Sequence, residues 1–275
     1  MQVGIIGLGL IGGSLGLALR ESGLFKSILG RDSRALHEQQ ALNLGLVDEC
    51  VSLEEISTCD VIFIAIPLDS IAPLVNSFTN LTATQTLIDV GSTKSLISRL
   101  IDPKVRPHYV GAHPMSGTEH SGPRAAKKDL FKNQILILTD TSQSGEFQIA
   151  LAKQVFVSLG MQIVKMDSLE HDAHIAYISH LPHLLSFALA NTVLAQKSPE
   201  DILALVGGGF RDTSRLANSS PLTWRDIFKH NRGYLLESIS EFERHLGRAK
   251  GFIESQDWLA LEEWMAKGNK LGEFL

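Results

Sequence analysis

The chain of 275 residues is poor in cysteine, in excess positive charge and in long charge-free segments. Its two cysteines, Cys50 and Cys59, have no CxxC spacing, which excludes a disulfide framework and is typical of a reducing compartment. Lys and Arg number 25 against 30 Asp and Glu. The resulting net charge of −5 argues against a nucleic-acid partner, because phosphate binding requires a basic surface.

One charge-free segment, Val3–Leu19, could be confused with the apolar part of a secretion signal. Gly occupies six of its seventeen positions and no basic residues precede it, so we do not interpret it as a signal. The other stretches of membrane-spanning length all contain charges. We therefore expect no membrane partner and a cytoplasmic location.

Short apolar runs alternate with helical stretches over the first 167 residues. This alternation predicts a Rossmann-type, doubly wound α/β domain with a mostly parallel sheet. The predicted strands are Gln2–Gly7, Ser27–Arg31, Asp60–Ala65, Thr86–Val90, Tyr109–His113, Gln134–Thr139 and Gln162–Lys165. The predicted helices are Gly12–Ser22, Ser33–Leu44, Pro67–Phe78, Thr93–Ile101 and Glu146–Leu159.

From Ser168 onward the apolar residues recur at helical spacing. Long helices are predicted at Ile227–Arg248 and Ser255–Lys270. We therefore predict two domains, a dinucleotide-binding domain over 1–167 and an all-helical domain over 168–275. Apolar helix faces with no sheet to cover them often pack against a second copy, which favours a homodimer formed through the helical domain.

A glycine-rich turn follows the first predicted strand and precedes the first helix. In this context the GxGxxG pattern is typical of dinucleotide binding: the first Gly allows the turn, the second admits the pyrophosphate, and the third brings the helix close to the strand. The cofactor-binding residues predicted here are Gly7, Leu8, Gly9, Leu10, Ile11 and Gly12.

The end of the second strand bears on the choice of cofactor. Asp32 stands 20 residues after Gly12, where a carboxylate would accept hydrogen bonds from the adenosine ribose and repel a 2′-phosphate. This favours NAD over NADP. Arg31 leaves NADP open, since a guanidinium could stack on adenine or pair with that phosphate. Ile66 and Pro67, after the third strand, are predicted to line the middle of the cofactor.

Four further motifs carry a resemblance that the turn alone does not. They are DVGSTK at 89–94, GAHPMSG at 111–117, SHLPH at 179–183 and GGGFRDTSR at 207–215. In this order and spacing, over essentially the whole chain, the sequence resembles the prephenate/arogenate dehydrogenase family of tyrosine biosynthesis. The resemblance implies NAD-dependent oxidative decarboxylation of prephenate to 4-hydroxyphenylpyruvate, or of arogenate to tyrosine.

The resemblance also implies roles for individual residues. His113, at the end of a predicted strand, would be the base that accepts the substrate hydroxyl proton. Ser92 would orient His113 or bond the substrate hydroxyl, although it could also cap the following helix. Substrate-binding roles would fall to Arg215 and Arg211 as carboxylate clamps, to His183 at the pyruvyl side chain and to Glu119 in organising the site.

Three other interpretations make different predictions: a metal site, a dehydrogenase of another substrate class and a non-catalytic sensor. A metal site is not predicted from the histidines near His180, because no carboxylate or thiol has ligand spacing and Pro182 interrupts the helix. A dehydrogenase of 3-hydroxy acids would offer a lysine base in the helical half in place of His113. A non-catalytic NAD-binding sensor would bind the cofactor without turnover, and would have no chemical reason to keep the polar set named above.

Overall fold

The computed structural model describes residues 1–118 and 120–274. These residues form an eight-stranded sheet of order β3-β2-β1-β4-β5-β6-β7-β8, in which neighbouring strands are parallel except for the antiparallel pair β6 and β7. The strands are β1 Gln2–Ile6, β2 Ser27–Arg31, β3 Glu49–Cys50, β4 Val61–Ile64, β5 Thr86–Asp89, β6 Tyr109–Pro114, β7 Ile135–Thr139 and β8 Gln162–Met166.

Helices cover both faces of this sheet. They are α1 Leu10–Ser22, α2 Ala35–Asn43, α3 Leu53–Ile56, α4 Leu68–Ser77, α5 Ser95–Leu100 and α6 Glu146–Ser158. Short 3-10 turns lie at Arg106–His108, Pro123–Ala125 and Thr141–Gln143. The continuous apolar strands follow from this arrangement, because each central strand is buried on two sides. The predicted doubly wound, mostly parallel α/β fold is confirmed.

The two faces carry separate hydrophobic cores. On one face, Val3 of β1 belongs to the same cluster as Leu15 of α1 and Phe156 of α6. On the other face, Ile62 of β4 and Ile71 of α4 share a cluster that extends into the C-terminal region. The two regions of the chain are therefore packed together through apolar contacts.

The C-terminal region is helical, as predicted. It begins with α7 Ser168–Ile175, continues through a π-helical turn at Ala176–His180, and includes α8 Leu181–Leu194, α9 Pro199–Leu203, α10 Gly208–Ser214, a 3-10 turn at Arg215–Asn218, α11 Pro221–His230, α12 Arg232–Glu254, α13 Trp258–Asn269 and a 3-10 turn at Lys270–Glu273. No described helix is long and apolar enough to cross a membrane. The boundary placed at 167/168 stays a prediction.

Two details of the predicted helices are wrong. The run Ile227–Arg248 is not one helix, because the chain turns at Asn231 between α11 and α12. The Asn231 amide is buried and donates to the carbonyl of Asp172 at 2.7 Å, which holds the turn in place. Pro182 does not interrupt the helix either: it lies in the first turn of α8, where its missing N–H is harmless.

Candidate functional site

The glycine-rich turn forms a cradle between β1 and α1. Gly7 has φ +91°, and a Cβ there would lie 2.2 Å from the carbonyl oxygen of Ala65. A Cβ on Gly12 would lie 1.8 Å from the carbonyl oxygen of Gly7. A Cβ on Gly9, in contrast, would meet no described atom within 4 Å. Two glycines therefore serve the packing, while the third leaves space at the N-terminus of α1 that a pyrophosphate would fit.

The remaining residues of the turn form one apolar and backbone surface. Leu8 is buried, and Leu10 and Ile11 are the first residues of α1. Ile66 lies under Gly7, 3.0 Å from where its Cβ would be. Pro67 is the N-cap of α4. Leu10, Ile11 and Ile66 are half-buried and Pro67 is exposed, so these side chains can meet a bound cofactor, whereas the buried Leu8 side chain cannot.

The carboxylate of Asp32 is held in place from both sides. One oxygen accepts the backbone N–H of Leu8 at 2.8 Å, and the other accepts that of Arg34 at 2.9 Å. Arg31 forms an ion pair with Glu38 at 3.1 Å, and Glu38 also accepts the backbone N–H of Asp32. The Arg31 guanidinium, which could otherwise pair with the 2′-phosphate of NADP, is therefore already paired with the Glu38 carboxylate.

His113 lies at the end of β6, at the carboxyl edge of the sheet. Its Nδ1 lies 2.8 Å from Nε2 of His171, with the two rings nearly perpendicular. Burial, with smaller contributions from His171, Lys94 and His180, lowers the pKa of His113 well below its usual value. The imidazole is therefore neutral near pH 7 and able to accept a proton.

Next to His113 lies a buried ion pair that the sequence did not predict. Lys94 and Asp89 are fully buried and their charged groups are in contact. Asp89 also accepts the Tyr109 hydroxyl at 2.9 Å and the backbone N–H of Gly91 at 2.6 Å. This network fixes the loop between β5 and α5, which carries Ser92.

Ser92 does not cap the helix that follows it. α5 begins at Ser95, and its first backbone N–H groups are bound by the Asp172 carboxylate, at 2.9 Å from Lys94 N and 2.9 Å from Ser95 N. Each oxygen of this carboxylate accepts one of the two donors, so Asp172 caps α5 and Ser92 does not. Among the described residues, Ser92 also makes no side-chain hydrogen bond to His113, whose Nδ1 faces His171.

The π-helical turn and α8 bring two more histidines to the cleft. His180 is buried; its Nδ1 accepts from the Asn231 amide at 3.1 Å, and its Nε2 has no hydrogen-bond partner among the described residues. Burial lowers the pKa of His180 to about 4. His183 donates from Nδ1 to the carbonyl of Ser179 at 2.8 Å and stacks on Trp224 with ring centroids 3.5 Å apart.

These groups form a continuous series from the sheet to α10. Their pKa values are linked in sequence: that of His113 is lowered in part by His180, and that of His180 is lowered in part by His183. Burial lowers the pKa of His183, and the nearby charge of Arg215 lowers it further. The charge of Arg215 is thus close enough to His183 to affect its titration.

The other two predicted substrate-binding residues are less closely tied to this series. The Arg211 guanidinium is exposed on α10, and within the described ranges it makes no ion pair or side-chain hydrogen bond. Glu119 lies outside the described residues. His171, Asp172, Asn231 and Trp224 were not predicted as site residues from the sequence. No local pattern distinguishes these side chains, since their contacts join distant parts of the chain.

Known proteins share both the sequence and the fold. Residues 15–165 match the family model described as the nucleotide-binding domain of prephenate dehydrogenase, and residues 167–267 match the model of its dimerization domain. A prephenate dehydrogenase of Bacillus subtilis is 32% identical over 263 residues, which are 92% of this chain and 70% of that protein.

Solved structures of similar proteins extend over the whole chain. The prephenate dehydrogenase from Aquifex aeolicus, in complex with hydroxyphenyl propionate and NAD+, has a TM-score of 0.92 and 31% identity, covering 100% of this chain and 98% of that one. A Synechocystis arogenate dehydrogenase has a TM-score of 0.83 and 30% identity, covering 100% of both chains. By these matches, and by the motifs and geometry that accompany them, the chain belongs to the prephenate dehydrogenase family.

Proposed function

We propose that the chain is a prephenate dehydrogenase, an oxidoreductase that uses NAD to convert prephenate into 4-hydroxyphenylpyruvate and CO2. The observation that carries this proposal is the position of His113. The cradle follows β1 and His113 ends β6; both lie at the carboxyl edge of the sheet, three strand spacings or about 14 Å apart. A dinucleotide lying along this edge would bring its nicotinamide towards a neutral imidazole.

The chemistry requires one base and a hydride acceptor. NAD+, held at the glycine-rich turn and Asp32, would supply the acceptor for the hydride from C4 of the cyclohexadiene ring. His113 accepts the proton of the C4 hydroxyl. CO2 leaves from C1, its bonding electrons complete the aromatic ring, and the proton returns to the phenol oxygen. The atoms balance without a net proton, so the histidine must hold that proton only transiently.

The helical region supplies the binding groups in this proposal. Prephenate carries two carboxylates, and we propose that Arg215, whose charge affects the pKa of His183, binds one of them. His183 donates its Nδ1 proton to the Ser179 carbonyl, so Nε2 of the neutral ring has no proton to give, and we propose that the ring packs beside the substrate side chain and leaves its carboxylate to Arg215. Arg211 and Glu119 remain proposed contacts, and Ser92 a proposed contact of the substrate hydroxyl.

NAD is the preferred cofactor in this proposal. Asp32 and Glu38 place two carboxylates where the adenosine ribose would bind, and Arg31 is paired with one of them. A 2′-phosphate would meet this negative charge and would have to displace the ion pair. These contacts support NAD over NADP.

Arogenate is the second candidate substrate, favoured by the full-length similarity to the Synechocystis protein. Both substrates share the cyclohexadienol ring and differ at the side chain, where one ends as a keto acid and the other as an amino acid. His183 and Arg215 would contact that side chain. Nε2 of His183 can accept from an ammonium group, but the Arg215 cation would repel that group and neither residue offers a carboxylate to pair with it. This supports prephenate.

We also propose that the chain forms a homodimer through its helical region. Apolar side chains of α12 and α13 are exposed in the single chain, among them Leu246, Ile253, Trp258 and Leu259. A second copy would cover them, and the family model of this region carries the name of a dimerization domain. The cytoplasmic location stays a prediction.

The test is an assay of the purified protein with prephenate and arogenate against NAD and NADP. We expect prephenate with NAD to give the highest kcat/KM. His113→Ala should lower kcat by about 10²–10⁴-fold with little change in NAD affinity. His174→Ala, a control on the exposed side of α7, should change neither. NAD binding without turnover of either substrate would favour the sensor, and near-normal kcat in His113→Ala would refute the mechanism.

A further inference from the structure

We infer that His171 and Asp172 are positioning residues that hold His113 in the one tautomer able to act as a base. This inference rests on the proposed function, in which Nε2 of His113 accepts the hydroxyl proton. The three side chains form a hydrogen-bonded relay: Asp172 Oδ1 lies 2.7 Å from Nδ1 of His171, and Nε2 of His171 lies 2.8 Å from Nδ1 of His113.

The carboxylate at the end of the relay is ionised. Asp172 is fully buried, and burial by itself raises its pKa. Hydrogen bonds from His171, from the Ser95 hydroxyl at 2.6 Å and from the backbone N–H groups of Lys94 and Ser95 outweigh that effect and lower the pKa overall. These donors leave Asp172 as an acceptor only.

The position of each proton follows from that starting point. Because Asp172 only accepts, Nδ1 of His171 must carry a proton and donate it. A neutral His171 then has a lone pair on Nε2, so the proton between the two imidazoles belongs to Nδ1 of His113. This leaves Nε2 of His113 without a proton, which is the form that can take one from the substrate.

The relay also stabilises the positive charge that the His113 ring acquires when it accepts a proton. When His113 becomes an imidazolium, its Nδ1 proton faces the lone pair of His171, whose own proton faces a buried carboxylate. The same logic operates in Ser-His-Asp triads, where the acid fixes the tautomer of the base and stabilises its cation. Here a second imidazole stands between the acid and the base.

The other titratable groups around His113 do not supply this role. Lys94 is paired with Asp89, and its charge disfavours an imidazolium. His180 is fixed by the Asn231 amide, whose orientation is set because it donates to the carbonyl of Asp172. Among the described residues, Asp172 is thus the carboxylate connected to His113 by hydrogen bonds.

Three variants separate this role from a structural one. In Asp172→Asn the amide can turn its NH2 towards His171, which would reverse both protons and place one on Nε2 of His113. We expect kcat to fall by about 10²–10⁴-fold. His171→Leu removes the acceptor and should cost about 10²-fold. His171→Gln keeps an oxygen that can accept from Nδ1 of His113 and should recover activity to within about tenfold of the wild type.

The tautomers can be observed without turnover by NMR of ¹⁵N-histidine-labelled protein in the absence of substrate. His113→Ala and His171→Gln assign the signals among the ten histidines. We expect His113 with its proton on Nδ1 in the wild type and on Nε2 in Asp172→Asn. If the wild-type protein turned over neither substrate, the proposed function would be refuted. The NMR spectrum would still show whether the relay fixes the tautomer of His113.

Two results would overturn the inference. One is a wild-type His113 protonated on Nε2. The other is a His171→Gln variant no more active than His171→Leu when both bind NAD and unfold at the wild-type temperature. Loss of activity in Asp172→Asn with an unchanged His113 tautomer would likewise assign Asp172 a structural role, as the residue that ties α7 to α5.

Discussion

Gly9→Ala tests the cofactor cradle with a single methyl group. The backbone of Gly9 has φ −76° and ψ −154°, which alanine adopts without strain, and the added Cβ would meet no described atom within 4 Å. The fold should therefore accept the change, with a gain in stability of up to about 0.4–1 kcal/mol from the restricted unfolded chain. The methyl group would instead occupy the space in which the pyrophosphate should lie.

The magnitude follows from the hydrogen bonds that would be lost. A charged acceptor bound by backbone N–H groups contributes about 1.5–3 kcal/mol. Since 1.4 kcal/mol corresponds to a factor of ten, the Kd for NAD should rise about 10–150-fold. Gly12→Ala is the contrasting variant: its Cβ would lie 1.8 Å from the carbonyl oxygen of Gly7, so α1 must shift, at a cost of about 1–3 kcal/mol in stability.

The assay is calorimetric titration with NAD, combined with thermal unfolding of the same samples. Gly247→Ala in α12 serves as the control, because that glycine also meets no described atom within 4 Å but lies away from the cradle. It should leave the Kd unchanged. A Gly9→Ala variant that bound NAD like the wild type would refute the placement of the pyrophosphate at this turn.

Three further measurements address the substrate clamp, the buried ion pair and the base. Arg215→Ala should raise KM for prephenate about 10–150-fold, from about 1.5–3 kcal/mol of lost charged hydrogen bonding; a fall in kcat alone would contradict ground-state binding. Lys94→Met leaves Asp89 buried without its cation and should lower the free energy of unfolding by about 3–5 kcal/mol in urea titrations, and a loss below about 1 kcal/mol would contradict this. Burial lowers the pKa of His113, and the unprotonated ring is the active form, so the midpoint of the acid limb of kcat/KM should lie below the ordinary imidazole pKa of about 6.5; a midpoint at or above that pH would contradict it.

The strands were predictable because each central strand is a continuous apolar run. β4, for example, is buried at each of its residues and could be recognised from composition alone. β3 was missed because Glu49–Cys50 is only two residues long and has no periodicity. The turn at Asn231 was missed for a different reason. A long amphipathic pattern continues across it, and the side chain that ends α11 does so through a contact with Asp172, 59 residues away.

The site was predictable only in part, for a related reason. The motifs placed His113 at a strand end, and the strand order brings that end to the same edge as the glycine-rich turn. The partner of His113 is 58 residues away, on a helix of the other region. A sequence pattern cannot report that hydrogen bond. Ser92 illustrates the same limit. The local sequence suggested that it caps α5, but the cap is the Asp172 carboxylate, which belongs to α7.

The position of the relay makes the junction between the two regions part of the chemistry. His113 belongs to the sheet, whereas His171 and Asp172 belong to the helical region. The same junction is held at its exposed side by Asp69 of α4, which pairs with Lys229 and His230 of α11 at 2.7 Å each. A displacement of one region by about an ångström would break the 2.8 Å hydrogen bond between His113 and His171. The tautomer of His113 would then no longer be fixed. In the proposed mechanism, proton transfer therefore requires the docked arrangement of the two regions, and the proposed substrate contacts of Arg215 and His183 require it too, so that binding and catalysis would depend on one interface.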